Sequence, residues 1–254
     1  MTREIGFKPG TFCFIPIAAL TGYNLKEKSG ECPWYTGPTL FEALDNVPLP
    51  PRDDKDTFCL PVYDRSKSKS SIIAYGKIEK GVIKEGDQVV VMPSEVTGTI
   101  VSVYVEEAKI KRGVPGDSVR LALQGFEMQD ISCGSVVCSI GHPCHVAQKV
   151  VVRMKITQAA PDIVMPGFVS VCHLHTITIP ATMTRILEVP GPNHQVHKNP
   201  PFAKRGQVAL AIIEFETPVC VERFKDNSQL GRFILRYEDF TVAVGVVEKL
   251  PKSA

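Results

Sequence analysis

The sequence predicts a mainly β protein, built as barrels or sandwiches, with a short α/β segment at its start. Three observations predict it. Twenty prolines and nineteen glycines punctuate the 254 residues, and few stretches keep a 3.6-residue apolar period. About a dozen short β-branched or alternating runs are bounded by turn residues. With 44% hydrophobic and 22% charged residues, the chain can fill the core of one large or two ordinary domains.

The elements follow in order. Residues 1–11 are polar and are expected to fray. Phe12-Cys13-Phe14-Ile15-Pro16-Ile17 is fully apolar, the pattern of a strand buried on both faces of a parallel sheet. Ala18-Ala19-Leu20-Thr21-Gly22 after it is the kind of loop in which α/β proteins hold ligands. Trp34 and Tyr35 are suited to capping a domain junction. Thr39 followed by Glu42, with apolar residues on one side, predicts a short helix over 39–45. Val47–Asp56 is proline-rich and charged, an extended linker.

The strand rhythm begins at Phe58. Cys59–Val62 is a strand and Ser66–Ser71 a polar loop. Gly76 interrupts the next strand, as at a barrel bend or bulge. Gly81 and Gly86-Asp87 mark turns before Gln88–Met92. Ile100–Val105, Arg120–Leu123 and Val136–Cys138 complete this set. Ile72, Val89, Val91, Val101, Val103, Leu121 and Val136, or their immediate neighbours, are the expected core.

Ile140–Ala147 is a second linker. With Cys138 it gathers two cysteines and two histidines, but their spacing is not that of a zinc knuckle, and no metal site is read there. Val150, Val152, Met154 and Ile156 alternate with Arg153 and Lys155, a half-buried strand. Val169–Thr176 is the next; its His173 and His175 lie two apart, hence on one side. Met183–Val189, Val208–Phe215 and Pro218–Phe224 are strands, and Pro190–Pro201 is an exposed, mobile loop. Arg232–Tyr237 and Thr241–Val247 form the closing hairpin. Phe233, Leu235 and Tyr237 face one way; Arg232, Ile234 and Arg236 face the other.

Several function classes are set aside by composition. A net charge of +2 does not indicate bulk nucleic-acid binding. Aromatic residues do not interleave with basic ones along any one strand, as a single-strand RNA platform would have them. No apolar run has the length of a membrane helix and no signal-peptide core is present. The eight cysteines show no framework spacing, which predicts reduced thiols in a cytoplasmic protein; Cys172 and Cys220, inside apolar strands, are expected to pack as small hydrophobes. There is no Gly-x-Ser-x-Gly, and the pairs Asp53-Asp54 and Glu106-Glu107 read as solvated charge, so no catalytic residue is assigned.

Some motifs carry a resemblance. Gly76-Lys77-Ile78-Glu79-x-Gly81-x-Ile83-Lys84-x-Gly86-Asp87 and Pro115-Gly116-Asp117-x-Val119 resemble the second domain of translational GTPases. Leu230-Gly231-Arg232-Phe233, a turn, and Thr241-Val242-Ala243-Val244-Gly245 resemble the strands that close the last barrel of elongation factors. Taken whole, the chain resembles the C-terminal part of the eukaryotic class II peptide-chain release factor. The resemblance implies two consecutive six-stranded antiparallel β-barrels, over 58–140 and 147–250. It implies a remnant of a GTP-binding domain over 1–46 and a linker over 47–57. Ala18, Ala19 and Leu20 would then be the remnant of a guanine-contacting loop. The chain has neither Gly-x-x-x-x-Gly-Lys-Ser/Thr nor Asn-Lys-x-Asp. The expectation is therefore a non-enzymatic chain without cofactor, from a parent that uses GTP and magnesium. A G-domain strand without sheet neighbours predicts lower hydrogen-exchange protection over 1–35 than elsewhere.

The resemblance also places a docking site for the class I, stop-codon-reading release factor on the last barrel. The residues are Leu230, Gly231, Arg232, Phe233, Ile234 and Arg236, with His173 and His175 beside them. The first barrel would face the small ribosomal subunit, and the chain would be a monomer. Arg236-Tyr237 is closer to the ribosome-rescue GTPase that partners pelota, which stays an alternative, as does a tRNA-delivering elongation factor.

Overall fold

A computed structural model describes residues 12–28, 30, 32–48, 54, 56–68, 71–191 and 195–251. The expectation of fraying over 1–11 lies outside them. The chain forms two compact units, Met1–Pro51 and Arg52–Ala254.

In the first unit, helix α1 (Leu40–Asp45) begins at Thr39, whose hydroxyl accepts from the Glu42 amide while the Glu42 carboxylate accepts from the Thr39 amide. This reciprocal capping satisfies donors that a six-residue helix cannot satisfy itself. The apolar run 12–17 forms no strand, contrary to the sequence pattern; Phe14 is 73% exposed. A doubly buried strand needs neighbours on both sides, and this segment has only the Ala18–Tyr23 bridge after it among the described residues.

The second unit holds two closed barrels. The first is made of β1 (Cys59–Lys67), β2 (Ile72–Lys77), β4 (Gln88–Met92), β5 (Val96–Val105), β8 (Ser118–Gln124) and β9 (Val136–Ser139). Their order β4-β9-β1-β2-β8-β5 returns to β4, so no member of the ring is an edge, and β6 (Ala108–Ile110) adds to β5. A small ladder of β3 (Ile83–Lys84) and β7 (Arg112–Gly113) lies beside the ring. Leu60, Val62, Val89, Val91, Val103 and Leu121 are fully buried inside. Burying a side chain of this kind contributes about 1.5–3 kcal/mol. Gly76 sits where the wall bends: a Cβ there would lie 2.3 Å from the Leu60 Cδ2 and 2.6 Å from the Pro61 oxygen. Val101 leaves the expected core and is 41% exposed, because the register slips between Ile100 and Ser102 and puts Ile100 inside instead. β1 runs on to Lys67, so the polar loop is shorter than expected.

The second barrel comprises β10 (Val146–Ile156), β12 (Phe168–Leu174), β13 (Ile177–Pro190), β16 (Val208–Cys220), β17 (Arg232–Tyr237) and β18 (Phe240–Lys249). The ring β12-β17-β18-β10-β16-β13 closes back on β12. Val150, Val152, Met154 and Ile156 point inward as their alternation predicts. β14 (Val196–Lys198) pairs with the end of β13, so part of the 190–201 segment is a hairpin rather than loop. β11 (Ile163–Val164) pairs with β15 (Ala203–Lys204). β16 continues to Cys220, and 221–231 is a series of turns, where the sequence suggested a separate strand over 218–224.

The barrels meet along a buried seam. Cys59, Val90, Met92, Val136 and Cys138 of the first pack with Cys144, Cys220 and Leu230. Asn227 anchors it: its Oδ1 accepts from the Gln229 and Leu230 amides, and its Nδ2 lies 3.7 Å from the Cys59 sulfur. Lys80 donates to the Asp226 carbonyl at 2.6 Å. All eight cysteines are free thiols. The hydrogen bond with Cys138, then burial, raises the Cys59 thiol pKa, and burial pushes Cys172 up to about 12. These thiols act as small apolar groups at neutral pH.

Candidate docking face on the second barrel

β17 lies between β12 and β18, so its outward side chains are flanked on both sides. Register puts Val171 opposite Arg236, His173 opposite Ile234, and Ile234 opposite Val244. Residues directly opposite in an antiparallel pair share a face. The result is an outward patch of Val169, Val171, Ile234 and Val244, respectively 55%, 39%, 42% and 41% exposed, with Arg236 among them. Below it a groove of about 630 Å³ is lined by His173, His175, Gln229, Arg232, Ile234 and Val246, among others.

The structure brings the predicted site residues to this region but divides them. Ile234 is exposed, and Arg232 and Arg236 also face outward. Leu230 and Phe233 are buried, at 0% and 4% exposure, and cannot present side chains to a partner. Leu230 belongs to the inter-barrel seam and Phe233 to the barrel core. Gly231 is held by a close backbone crossing, since a Cβ would lie 2.4 Å from the Phe224 Cα. Tyr237 departs from the inward set; a register shift after Leu235 releases it, and it lies exposed against Phe168 with ring centroids 5.5 Å apart.

The two arginines differ. Arg232 donates from Nε to the Ser228 carbonyl at 2.9 Å and lies 6.0 Å from the Phe224 ring centroid. It also pulls on Glu79 of the first barrel, whose pKa is raised by burial and lowered by Lys77 and Arg232. Arg236 donates from Nη2 to the Asp239 carbonyl at 3.1 Å, while its buried Nε has no partner. The Arg236 guanidinium lies beside exposed valines and an isoleucine, and a planar guanidinium suits a carbonyl or carboxylate brought by another molecule.

The histidines are not equivalent members of one strand. His173 is the penultimate residue of β12 and meets the Thr178 hydroxyl at 3.1 Å. His175 lies beyond the strand at φ 39°, so the turn rather than strand alternation sets its direction. Its Nε2 donates to the Cys220 carbonyl at 3.0 Å, leaving Nδ1 to accept from the Thr176 hydroxyl at 3.1 Å. Burial lowers its pKa to about 4, against the Cys220 carbonyl, which raises it. His175 is therefore a neutral strut, and only His173 can serve the patch directly.

Ala18, Ala19 and Leu20 stand in a turn closed by the Gly22 amide donating to the Ala18 oxygen at 2.9 Å. All three are exposed, Leu20 completely. The turn is held by Asn24, whose side chain donates to the Pro16 carbonyl at 2.8 Å. Trp34 is 72% exposed and caps nothing within its own unit. No group of three or more His, Cys, Asp or Glu side chains has metal-holding geometry among the described residues. None of the described helices is long and apolar enough to cross a membrane.

Comparison with known proteins matches the two barrels separately. Residues 72–138 match the family described as Elongation factor Tu domain 2, and residues 149–248 match the GTP-eEF1A C-terminal domain-like family. The GTP-binding subunit of the eukaryotic peptide chain release factor from Ogataea pini is 38% identical over 253 residues, 98% of this chain and 34% of that protein. Elongation factor 1-alpha of Pyrobaculum arsenaticum is 34% identical over 250 residues, 97% of this chain and 56% of the relative. A crystal structure of sup35 complexed with GDP superposes with a TM-score of 0.72 at 34% identity, covering 93% of this chain and 58% of that one. The chain thus spans about a third of its release-factor relatives' length and somewhat over half of the elongation factors'.

Proposed function

We propose that this chain, which resembles the C-terminal part of the eukaryotic release factor GTP-binding subunit, is the docking portion of a translation termination factor. Its second barrel binds the class I release factor through the outward face of β12, β17 and β18. The observation that carries this is the exposed patch of Val171, Ile234 and Val244 around Arg236. On the β12–β17–β18 face every strand is paired on both sides and offers no edge for augmentation, so recognition there falls to outward side chains. Apolar anchors around an arginine are the composition of an interface centre.

Nucleotide chemistry in this reading, GTP with magnesium, is carried by a GTP-binding domain of the kind the release-factor relatives are named for, and no cofactor is assigned to the two barrels. The first barrel faces the small ribosomal subunit, and the factor works as a monomer in the cytoplasm. A second reading, the rescue GTPase that partners pelota, is favoured by one feature: the Arg236-Tyr237 pair, whose exposed tyrosine lies against Phe168 with ring centroids 5.5 Å apart.

Calorimetry with the C-terminal domain of the class I factor tests the assignment, with pelota as competitor. Class I binding that weakens in Ile234→Asp supports termination. Preferential binding of pelota moves the function to rescue, and binding that is indifferent to Ile234→Asp removes the site.

A further inference from the structure

Four of the eight thiols meet in the seam between the barrels: Cys59 and Cys138 of the first, with Cys144 and Cys220. The sheet sets two of them face to face. Register pairs Cys59 of β1 with Cys138 of β9. Cys59 turns its backbone away from that partner: its amide donates to the Lys80 carbonyl at 3.1 Å, and its carbonyl accepts from the Glu79 amide at 3.0 Å. The strands are bonded one position along, where the Ser139 amide donates to the Phe58 carbonyl at 3.3 Å. Cys59 and Cys138 are thus a non-hydrogen-bonded pair, in which the Cα atoms stand about 4.5 Å apart and the side chains share a face. That spacing lies within the range that a disulfide bridges, at its short end. Cys144 also touches Cys220, but Cys220 stands opposite Val146 and Cys144 precedes β10, so no strand pairing opposes those two.

The pair is chemically asymmetric and can be reached. Cys59, Cys138 and Cys144 line a pocket of about 270 Å³ together with Lys80, His142 and His145, wide enough for a small polar oxidant. The hydrogen bond from the Cys59 thiol holds the Cys138 thiol below its ordinary pKa, against burial, and raises that of Cys59. The thiolate is the form that attacks an oxidant. Cys138 is therefore the nucleophile and Cys59 the resolving thiol.

We propose that Cys59 and Cys138 form a reversible cross-strand disulfide, with hydrogen peroxide as the oxidant. The Cys138 thiolate attacks one peroxide oxygen; the O–O bond breaks and hydroxide leaves, giving a sulfenic acid. The Cys59 sulfur then attacks the Cys138 sulfur. The S–S bond forms, the S–O bond breaks, and the hydroxyl leaves as water with the Cys59 proton. The proton that Cys138 gave up turns the first hydroxide into a second water, so two thiols lose two electrons and one peroxide gains them. The bridge joins the first strand of the first barrel to its last and ties the whole ring into one covalent loop. Cross-linking a long loop stabilises chiefly by restricting the unfolded chain. A bridge shorter than the usual disulfide spacing is also readily reduced again by a thiol.

The test is peptide mapping by mass spectrometry. The whole chain is reduced, freed of reductant, exposed to hydrogen peroxide at low protein concentration, then unfolded and alkylated. The expected result is a Cys59–Cys138 linked peptide, two fewer alkylated thiols than in the reduced chain, reversal by dithiothreitol, and a higher melting temperature in the oxidised form. Cys59→Ala should abolish the link and the rise in melting temperature, and leave Cys138 as a sulfenic acid that dimedone traps. Cys144→Ala should leave the link in place. Linkage of Cys138 to Cys144 or Cys220 instead, oxidation confined to the exposed Cys13 and Cys133, or equal Cys59–Cys138 linkage when the urea-unfolded chain is oxidised would each overturn the proposal. The linked peptide is read on the unsubstituted chain, so a variant that fails to fold does not decide the outcome.

Discussion

The two barrels close in the same way and differ in what they show outside. Each is a ring of six antiparallel strands with one extra strand added to its wall. Each buries a core of mainly β-branched and leucine side chains. Yet the first displays Tyr75, Arg120 and Tyr104 in a cross-strand row, and the second displays valines and an isoleucine around Arg236. Because closure leaves no ring strand with a free edge, the inner face of each ring strand specifies the fold and the outer face is left to specify recognition. Substitutions should separate accordingly.

The largest effect belongs to the inner face. Phe233→Ala should destabilise the chain by about 3–5 kcal/mol, the cost of deleting a buried ring, measured by denaturant unfolding. It would also lose partner binding, through the fold rather than through a contact. If Phe233→Ala were stable yet failed to bind, Phe233 would belong to the docking face and the division between inner and outer residues would be wrong.

The buried His175 gives a pH signature to the second barrel. Its pKa is near 4 when folded and ordinarily about 6.5, so below pH 6.5 the unfolded chain takes up the proton first. Stability should therefore fall as pH drops from about 6.5 towards 4, by at most about 3 kcal/mol, and level off below. Urea midpoints at several pH values measure this. His175→Gln, which can keep a donor and an acceptor, should flatten that part of the profile; an unchanged slope would assign it to other groups.

On the outer face the order of effects reverses. Arg236→Ala should change stability by less than about 0.5 kcal/mol and cost more than about 1 kcal/mol in binding the class I factor. The smallest effect is expected where charges meet in solvent. Arg153, exposed, and Glu248, half-buried, pair at 3.0 Å on strands β10 and β18. Arg153→Ala should cost less than about 1 kcal/mol in thermal unfolding and nothing in binding.

Alternation made much of this legible in the sequence. Val150 to Ile156 announces which side is inside, and Gly76 announces a wall too close for a Cβ. Four things are not legible, each for a physical reason. Alternation sets Val101, or a neighbour, and Tyr237 with inward residues, and only the paired strands show that Ile100 is the buried one and Tyr237 is released, since a register slip inverts alternation without leaving a signal in composition. Leu230 and Phe233 stand in the same motif as Arg232 and Ile234, and only the second barrel's contact with the first shows that Leu230 is sealed in a seam. The row Tyr75–Arg120–Tyr104 draws its three members from β2, β8 and β5, so its interleaving exists only once the strands are paired. His175 lies two residues from His173, but its positive φ turns it away from the face that a strand would have given it.

The most direct test of the central claim compares one substitution from each outer face in a single calorimetric titration with the class I factor's C-terminal domain. Ile234→Asp, on the second barrel, should abolish or weaken binding by at least tenfold, while Tyr104→Leu, on the first, should leave it unchanged. Equal loss in both variants, or loss only in Tyr104→Leu, would contradict the assignment of partner docking to the β12–β17–β18 face.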